Sequence, residues 1–249
     1  MTTGSDIRRA RFVVSYRGTA FRGAAESPGV RTVIGELRTA CEQILGQPIE
    51  FTLAGRTDAG VHALGQVISC DLPDAVDPSD LAHRLSRMCA PDIAVRSGDW
   101  APDDFNARFS ASSRSYRYHV WNAPEGNPLL HELTWHVAQP LDLDLMNEAA
   151  QAVVGQHDFS SFCRAPDPAP DGTPLSLVRT VISANWTRGD PSHLVMFDIV
   201  GMAFCHQMVR SLAGTMVDIG SGRRSLHDMS TILDGKDRQL AGRVAPPQG

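Results

Sequence analysis

The feature that most constrains this chain is an apolar pattern that spells one order of elements twice. Residues 10 to 16, ARFVVSY, place apolar side chains at strand spacing and stop at Arg17-Gly18, a turn signal. From Val33 the apolar positions Val33, Leu37, Cys41, Ile44 and Leu45 recur at helical spacing, with Thr32 as the N-cap and Gly46 as the stop. Ile49 to Leu53 and Gln66 to Leu72 read as two strands around the glycine-rich loop AGRTDAGVHALG. A helix on Leu81, Leu85 and Met88 follows Asp77-Pro78, and the strand IAVRSGDW closes the unit as β-α-β-β-α-β.

The second half repeats the order with SYRYHVW as a strand, Leu143 to Val154 as a helix, and Val178 to Arg188 with His193 to Val200 as a strand pair. Helices then cover Cys205 to Ile219 and Leu226 to Leu233, and a closing strand is due where the chain instead ends at VAPPQG. The expected class is α+β: two ferredoxin-like (β-α-β-β-α-β) halves, residues 1–102 and 103–249, the second lacking its last strand. The halves are expected to share one mainly antiparallel sheet with helices on one face, leaving the other face open to a polymer. Segment 164–177, RAPDPAPDGTPLSL, reads as a surface connection.

At 249 residues and 42% hydrophobic content the chain can bury a sizeable core. It has no apolar run of roughly 18 residues and no signal-peptide pattern, so a cytoplasmic protein with no membrane contact is expected. Five cysteines without C-x-x-C spacing read as reduced thiols, and nine histidines without H-x-x-x-H or H-E-x-x-H spacing give no reason to expect a metal. A net charge of -5 counts against a general nucleic-acid binder. Arginine clusters at Arg8, Arg9, Arg11, Arg17 and Arg22 and at Arg108, Arg114 and Arg117 offset this, since the guanidinium fork suits phosphate. The same arginines read equally well as a solvated surface.

Asp58 lies in Gly55-Arg56-Thr57-Asp58-Ala59-Gly60-Val61-His62, where two glycines permit tight geometry between two strands and present the carboxylate. Taken alone, such a residue is most simply an Asx-turn aspartate. The wider string AGRTDAGVHALGQV, however, resembles the signature of TruA-type tRNA pseudouridine synthases. The resemblance continues in DDFNARFSASSRSYRY at 103–118, GQHDFSSF at 155–162 and AFCHQMVRSLAGTMVDIG at 203–220. It departs at FRGAAESPGVRT, with Ala24 where the family carries a tryptophan.

What the resemblance implies is specific. Asp58 matches the catalytic aspartate, Tyr116 the tyrosine against the target base, Arg56 the arginine that helps displace the base, and Arg210 the basic residue near the carboxylate. Arg108, His62 and His206 are further candidates, for RNA backbone or for packing. The substrate implied is uridine at positions 38 to 40 of the tRNA anticodon arm, the partner a second copy of the chain, and the reaction needs no cofactor. By alternation Tyr116 and Tyr118 face the same side of their strand, so spacing alone does not choose between them. Two other readings stay open: the same isomerisation on another RNA or a free uridine nucleotide, and a non-catalytic RNA-binding module. Against the module, the chain lacks an RNP1 pattern and is only 6% aromatic.

Overall fold

The structure is a computed structural model that describes residues 7–165, 171–173 and 175–249. The chain divides into two compact units, one ending at Ser112 and the other beginning at Ser113. Residues 103–112 belong with the first because they are tied to its sheet: Ala107 is buried and its amide donates to Ser69 Oγ at 3.1 Å, while Arg9 Nη1 donates to the Phe105 carbonyl at 2.9 Å.

The first unit runs β1 (Ile7–Tyr16), α1 (Val33–Leu45), β2 (Thr52–Leu53), β3 (Ala63–Pro73), α2 (Pro78–Met88) and β4 (Ile93–Trp100). These strands form an antiparallel sheet in the order β2-β3-β1-β4. The local signals act as expected. Thr32 accepts from the Gly35 amide at 3.2 Å, Gly46 ends α1 in the left-handed region at φ 69°, and Asp77 caps α2 ahead of Pro78. Ala10, Phe12, Val14 and Tyr16 alternate onto the buried face of β1 and share a core with Leu37 of α1 and with Leu81 and Leu85 of α2. Both neighbours of β1 carry an extra residue. From Val14 to Tyr16 the β3 partners pass from Gln66 to Ala63, and from Val13 to Val14 the β4 partners pass from Ser97 to Val95.

The second unit runs β5 (Arg114–Trp121), β6 (Trp135–His136), α3 (Leu143–Gln151), β7 (Gly155–Asp158), β8 (Val178–Arg188), β9 (Leu194–Gly201), α4 (Met208–Gly220) and α5 (Asp228–Gly235). Its sheet has the order β6-β5-β9-β8-β7, antiparallel except for β5 with β6. The α+β class is therefore observed, with the described strands pairing into one four-stranded and one five-stranded sheet rather than a single sheet. Among the described residues no strand follows α5, and the place beside β5 is taken by the two-residue β6. Of the 164–177 connection, residues 166–170 and 174 lie outside the described residues.

The end of the chain enters this unit's core. All of α4 but Val209 and Arg210 is buried, including Ser211, Thr215 and Asp218. Against it lies Ala245, fully buried, whose amide donates to the Arg210 carbonyl at 3.0 Å and whose carbonyl accepts from Arg210 Nε at 2.8 Å. A Cβ at Gly214 would overlap the Arg243 carbonyl, so only glycine lets the tail come this close. Buried polar groups find partners here, as they must: the Gly242 amide donates to Thr215 Oγ1 at 3.0 Å, and Asp218 holds Arg223 and Arg243.

Candidate active site

In the first unit, the loop from Ala54 to His62 joins β2 to β3 and is held from three sides. At its start Gln66 Nε2 donates to the Gly55 carbonyl at 2.7 Å, and the Ala54 amide donates to the Val67 carbonyl at 2.9 Å. From beneath, the hydroxyls of Tyr16 and Thr57 hydrogen-bond at 2.8 Å. Burial pushes the Tyr16 phenol above its usual value, against the pull of Thr57 and Gln66, so it stays protonated as the loop's support. The third side is the β1–α1 connection. There the Ala24 amide donates to the Thr57 carbonyl at 3.2 Å, the Gly60 amide to the Phe21 carbonyl at 3.3 Å, and the Gly18 amide to His62 Nδ1 at 3.1 Å.

Two glycines make that docking possible. A Cβ at Gly18 would overlap the Val61 carbonyl, and Gly23, at φ 113°, would set one 3.1 Å from the Thr57 carbonyl. Asp58 therefore sits at the crest of a loop whose flanks are bonded on both sides. It is half-buried, while Arg56, two residues earlier, is exposed. Each such bond is worth about 1 kcal/mol net; their joint effect is to hold the carboxylate in one place. Arg108 is also in this unit, exposed on a turn capped by Asn106, with its guanidinium 5.4 Å from the exposed Phe109 ring.

In the second unit, the structure separates the two tyrosines of β5. Tyr118 is buried and its hydroxyl donates to the Pro246 carbonyl at 2.7 Å. Burial raises its pKa strongly, opposed by the charges of Arg210 and Arg243. Tyr116 is only half-buried and meets Phe204 edge to face, with ring centroids 5.1 Å apart. Phe204 lies in the turn before α4, and Arg210 is the third residue of that helix. His206 contributes its carbonyl, which accepts from the Arg164 amide at 3.0 Å.

Four of the five early arginines are paired with aspartates rather than presented as an open basic surface. Arg8 pairs with Asp74, Arg9 with Asp71, Arg11 with Asp99 and Arg17 with Asp92, at 2.8, 2.7, 4.0 and 3.1 Å. Arg9 with Asp71 and Arg11 with Asp99 are cross-strand partners, and in the second unit Arg117 pairs its own register partner Asp198 at 2.7 Å. The residues that sequence reasoning missed are the loop's supports, Tyr16, Thr57 and Gln66. A signal was present in Tyr16 as the last apolar position before the Arg17-Gly18 turn.

Comparison with known proteins shows what the chain as a whole is similar to. A family model described as tRNA pseudouridine synthase matches residues 149–249. The chain is 40% identical to the tRNA pseudouridine synthase A of a Geobacillus species over 243 residues, covering 97% of this chain and 95% of that protein. It is 40% identical to that of Cutibacterium acnes over 247 residues (98% and 86%) and 37% identical to that of Bacillus subtilis over 243 residues (97% and 96%). A 3-hydroxy-3-methylglutaryl-coenzyme A reductase of Streptococcus pneumoniae, 9% identical over 95% of this chain and 69% of that one, matches at a TM-score of 0.20, too low to bear on the fold. At 37 to 40% identity over nearly the whole length of this chain and most of theirs, these relatives show that the chain belongs to the tRNA pseudouridine synthase A family.

Proposed function

We propose that this chain isomerises uridine to pseudouridine in tRNA, at positions 38 to 40 of the anticodon arm, with Asp58 as the reacting carboxylate. The observation that carries the proposal is the Asp58 loop, held by Tyr16, Gln66 and the β1–α1 connection so that a half-buried carboxylate is fixed before substrate arrives. In the reaction the N1–C1′ bond breaks, the uracil turns, C5 joins C1′, and the proton on C5 leaves while N1 gains one. No redox step occurs and no cofactor is required. Asp58 must be ionised, either to attack C1′ or C6 or to promote elimination to a glycal.

The remaining roles follow the chemistry. Tyr116 stacks on the uracil, and its hydroxyl assists the C5 proton; Tyr118 is the poorer choice because its hydroxyl is committed to Pro246. Exposed Arg56 fills the gap left by the extruded base, which costs a few kcal/mol to unstack. Arg210 is the basic residue that serves the carboxylate, and Arg108 holds a phosphate. In this reading two copies of the chain cradle one tRNA in the cytoplasm, and a cleft between copies gathers the positive charge that each copy spends on aspartates. A monomer by light scattering with full tRNA activity would remove the dimer.

Those aspartate pairs favour one second reading, a free uridine nucleotide as substrate, because a small substrate needs little basic area. Tritium release from C5-labelled uridine separates the two. Asp58-dependent release from a tRNA transcript alone supports the tRNA reading, whereas release from UMP moves the enzyme to small molecules. Tyr116→Phe tests the proton role: a near-normal rate would leave only stacking.

A further inference from the structure

Two of the five cysteines meet side chain to side chain. Cys163 and Cys205 are within hydrogen-bonding reach of each other, and the backbone builds the encounter: the amide one residue past Cys163, on Arg164, donates to the carbonyl one residue past Cys205, on His206, at 3.0 Å. Cys163 is buried and Cys205 half-buried, with Cys205 Sγ 3.9 Å from the Leu177 carbonyl. The Arg179 charge acts on both sulfurs, and its Nε is buried without a hydrogen-bond partner among the described residues. Neither thiol has a part in the reaction proposed above.

The pair also differs in chemistry from the other thiols. Burial pushes Cys41 and Cys89 up to about 11 and Cys70 higher still, leaving them protonated and inert. Cys205 moves the other way, held below its ordinary value by the Cys163 hydrogen bond and then by Arg179. Cys163, as the hydrogen-bond partner and a buried group, is pushed up. Cys205, the more exposed of the two, is thus the sulfur a peroxide meets first, and buried Cys163 beside it is the group that resolves.

We propose that Cys163 and Cys205 form a redox-sensitive pair that a peroxide closes to a disulfide, and that closure resets the segment bearing Phe204. The Cys205 thiolate attacks the peroxide O–O bond, forming an S–O bond and expelling hydroxide, which takes up a proton. The Cys163 sulfur, losing its proton, then displaces the oxygen of the Cys205 sulfenic acid as water and forms the S–S bond. Two thiols and one hydrogen peroxide give one disulfide and two waters, the two electrons passing from sulfur to peroxide oxygen. An S–S bond of about 2.05 Å is far shorter than a thiol hydrogen bond, so closure draws the Cys163 and Cys205 segments together, with the less buried Cys205 segment the one proposed to shift. Phe204, its neighbour, packs on Tyr116, and Gln207, already at φ 64°, links the segment to α4. The effect on turnover rests on the role proposed for Tyr116; the closure itself does not.

The test uses the full chain treated with hydrogen peroxide, then alkylated and digested. Mass spectrometry reads the linkage, hydrogen exchange reads residues 203–209, and tritium release reads turnover on a tRNA transcript. Expected are a linked peptide pair joining Cys163 and Cys205, altered exchange over 203–209, and a several-fold fall in turnover restored by dithiothreitol. Cys163→Ala and Cys205→Ser should both abolish the link and the sensitivity, and Cys163→Ala should leave a Cys205 sulfenic acid trapped by dimedone. Thiols that stay alkylatable, a sulfinic Cys205 in place of the link, or a link with unchanged exchange would overturn the proposal. A reduced enzyme without turnover would instead count against the assigned reaction, while the peptide and exchange readouts still decide the pair.

Discussion

Each half of the molecule opens with a strand whose buried tyrosine hydroxyl holds a segment distant in sequence, yet the two held segments differ in kind. In the first, Tyr16 of β1 bonds Thr57, next to Asp58; in the second, Tyr118 of β5 bonds the Pro246 carbonyl in the chain's tail. A glycine accompanies each: Gly18 makes room for the Val61 carbonyl and Gly214 for that of Arg243. The same device supports the half-buried Asp58 loop in one half and closes a core in the other. The difference teaches that one tyrosine braces the Asp58 loop while the other seals the tail onto α4, and mutations can test that separation directly.

The largest effect should come from Asp58→Asn, which keeps the size of the side chain and removes its charge. Turnover should fall by about 10³-fold or more, the order seen when a reacting group is lost, with melting temperature and tRNA binding kept. Tritium release and filter binding check this, and substantial residual turnover would remove Asp58 from its role.

Next come the glycines. Gly18→Ala should push the Val61 carbonyl away and lower turnover by about 10- to 100-fold through misplacement of the loop, with little change in thermal unfolding. Gly214→Ala should do the reverse, costing about 1–3 kcal/mol of stability by overpacking while turnover per folded molecule drops less. If both variants lost turnover equally, the division between halves would fail.

The smallest and sharpest pair is Tyr16→Phe against Tyr118→Phe. Tyr118→Phe removes one hydrogen bond and Tyr16→Phe two, the bond from Gln66 being long at 3.5 Å, so at about 1 kcal/mol for a well-formed bond the denaturant midpoints should shift by similar amounts. Only Tyr16→Phe should lower kcat, by several-fold, with KM little changed. A kcat loss in Tyr118→Phe of the same size would show that the tail, too, positions reacting groups.

Much of the fold was legible because its signals are local. Thr32, Gly46 and Asp77-Pro78 mark helix ends by chemistry that acts within one turn. The Asp58 loop was legible for the same reason: eight consecutive residues carry its glycines and its carboxylate. What escaped depends on residues far apart. The pairing of Arg9 with Asp71 and of Arg11 with Asp99 follows from strand register, which the apolar pattern does not encode at exposed positions. Tyr116 and Tyr118 share a face by alternation, and only the tail packed over Tyr118 distinguishes them. β6 and β7, two and four residues long, are too short to show a period. The start of α4 at Met208 rather than Cys205 reflects Gln207, whose left-handed φ of 64° no propensity would anticipate.

The extra residue that β3 carries opposite Val14–Tyr16 acts as a spacer. It falls at Leu64–Gly65, where the Leu64 carbonyl accepts from Ser15 Oγ at 2.6 Å and from Arg96 Nη1 at 3.2 Å, and a Cβ on Gly65 would meet nothing within 4 Å. Side chains of many kinds would fit there. Deleting one residue would not fit, because the strand would draw in by one step, about 3.3 Å, and carry Val61 and His62 off their dock at Gly18. At this point on the sheet the protein tolerates almost any spelling but only one letter count.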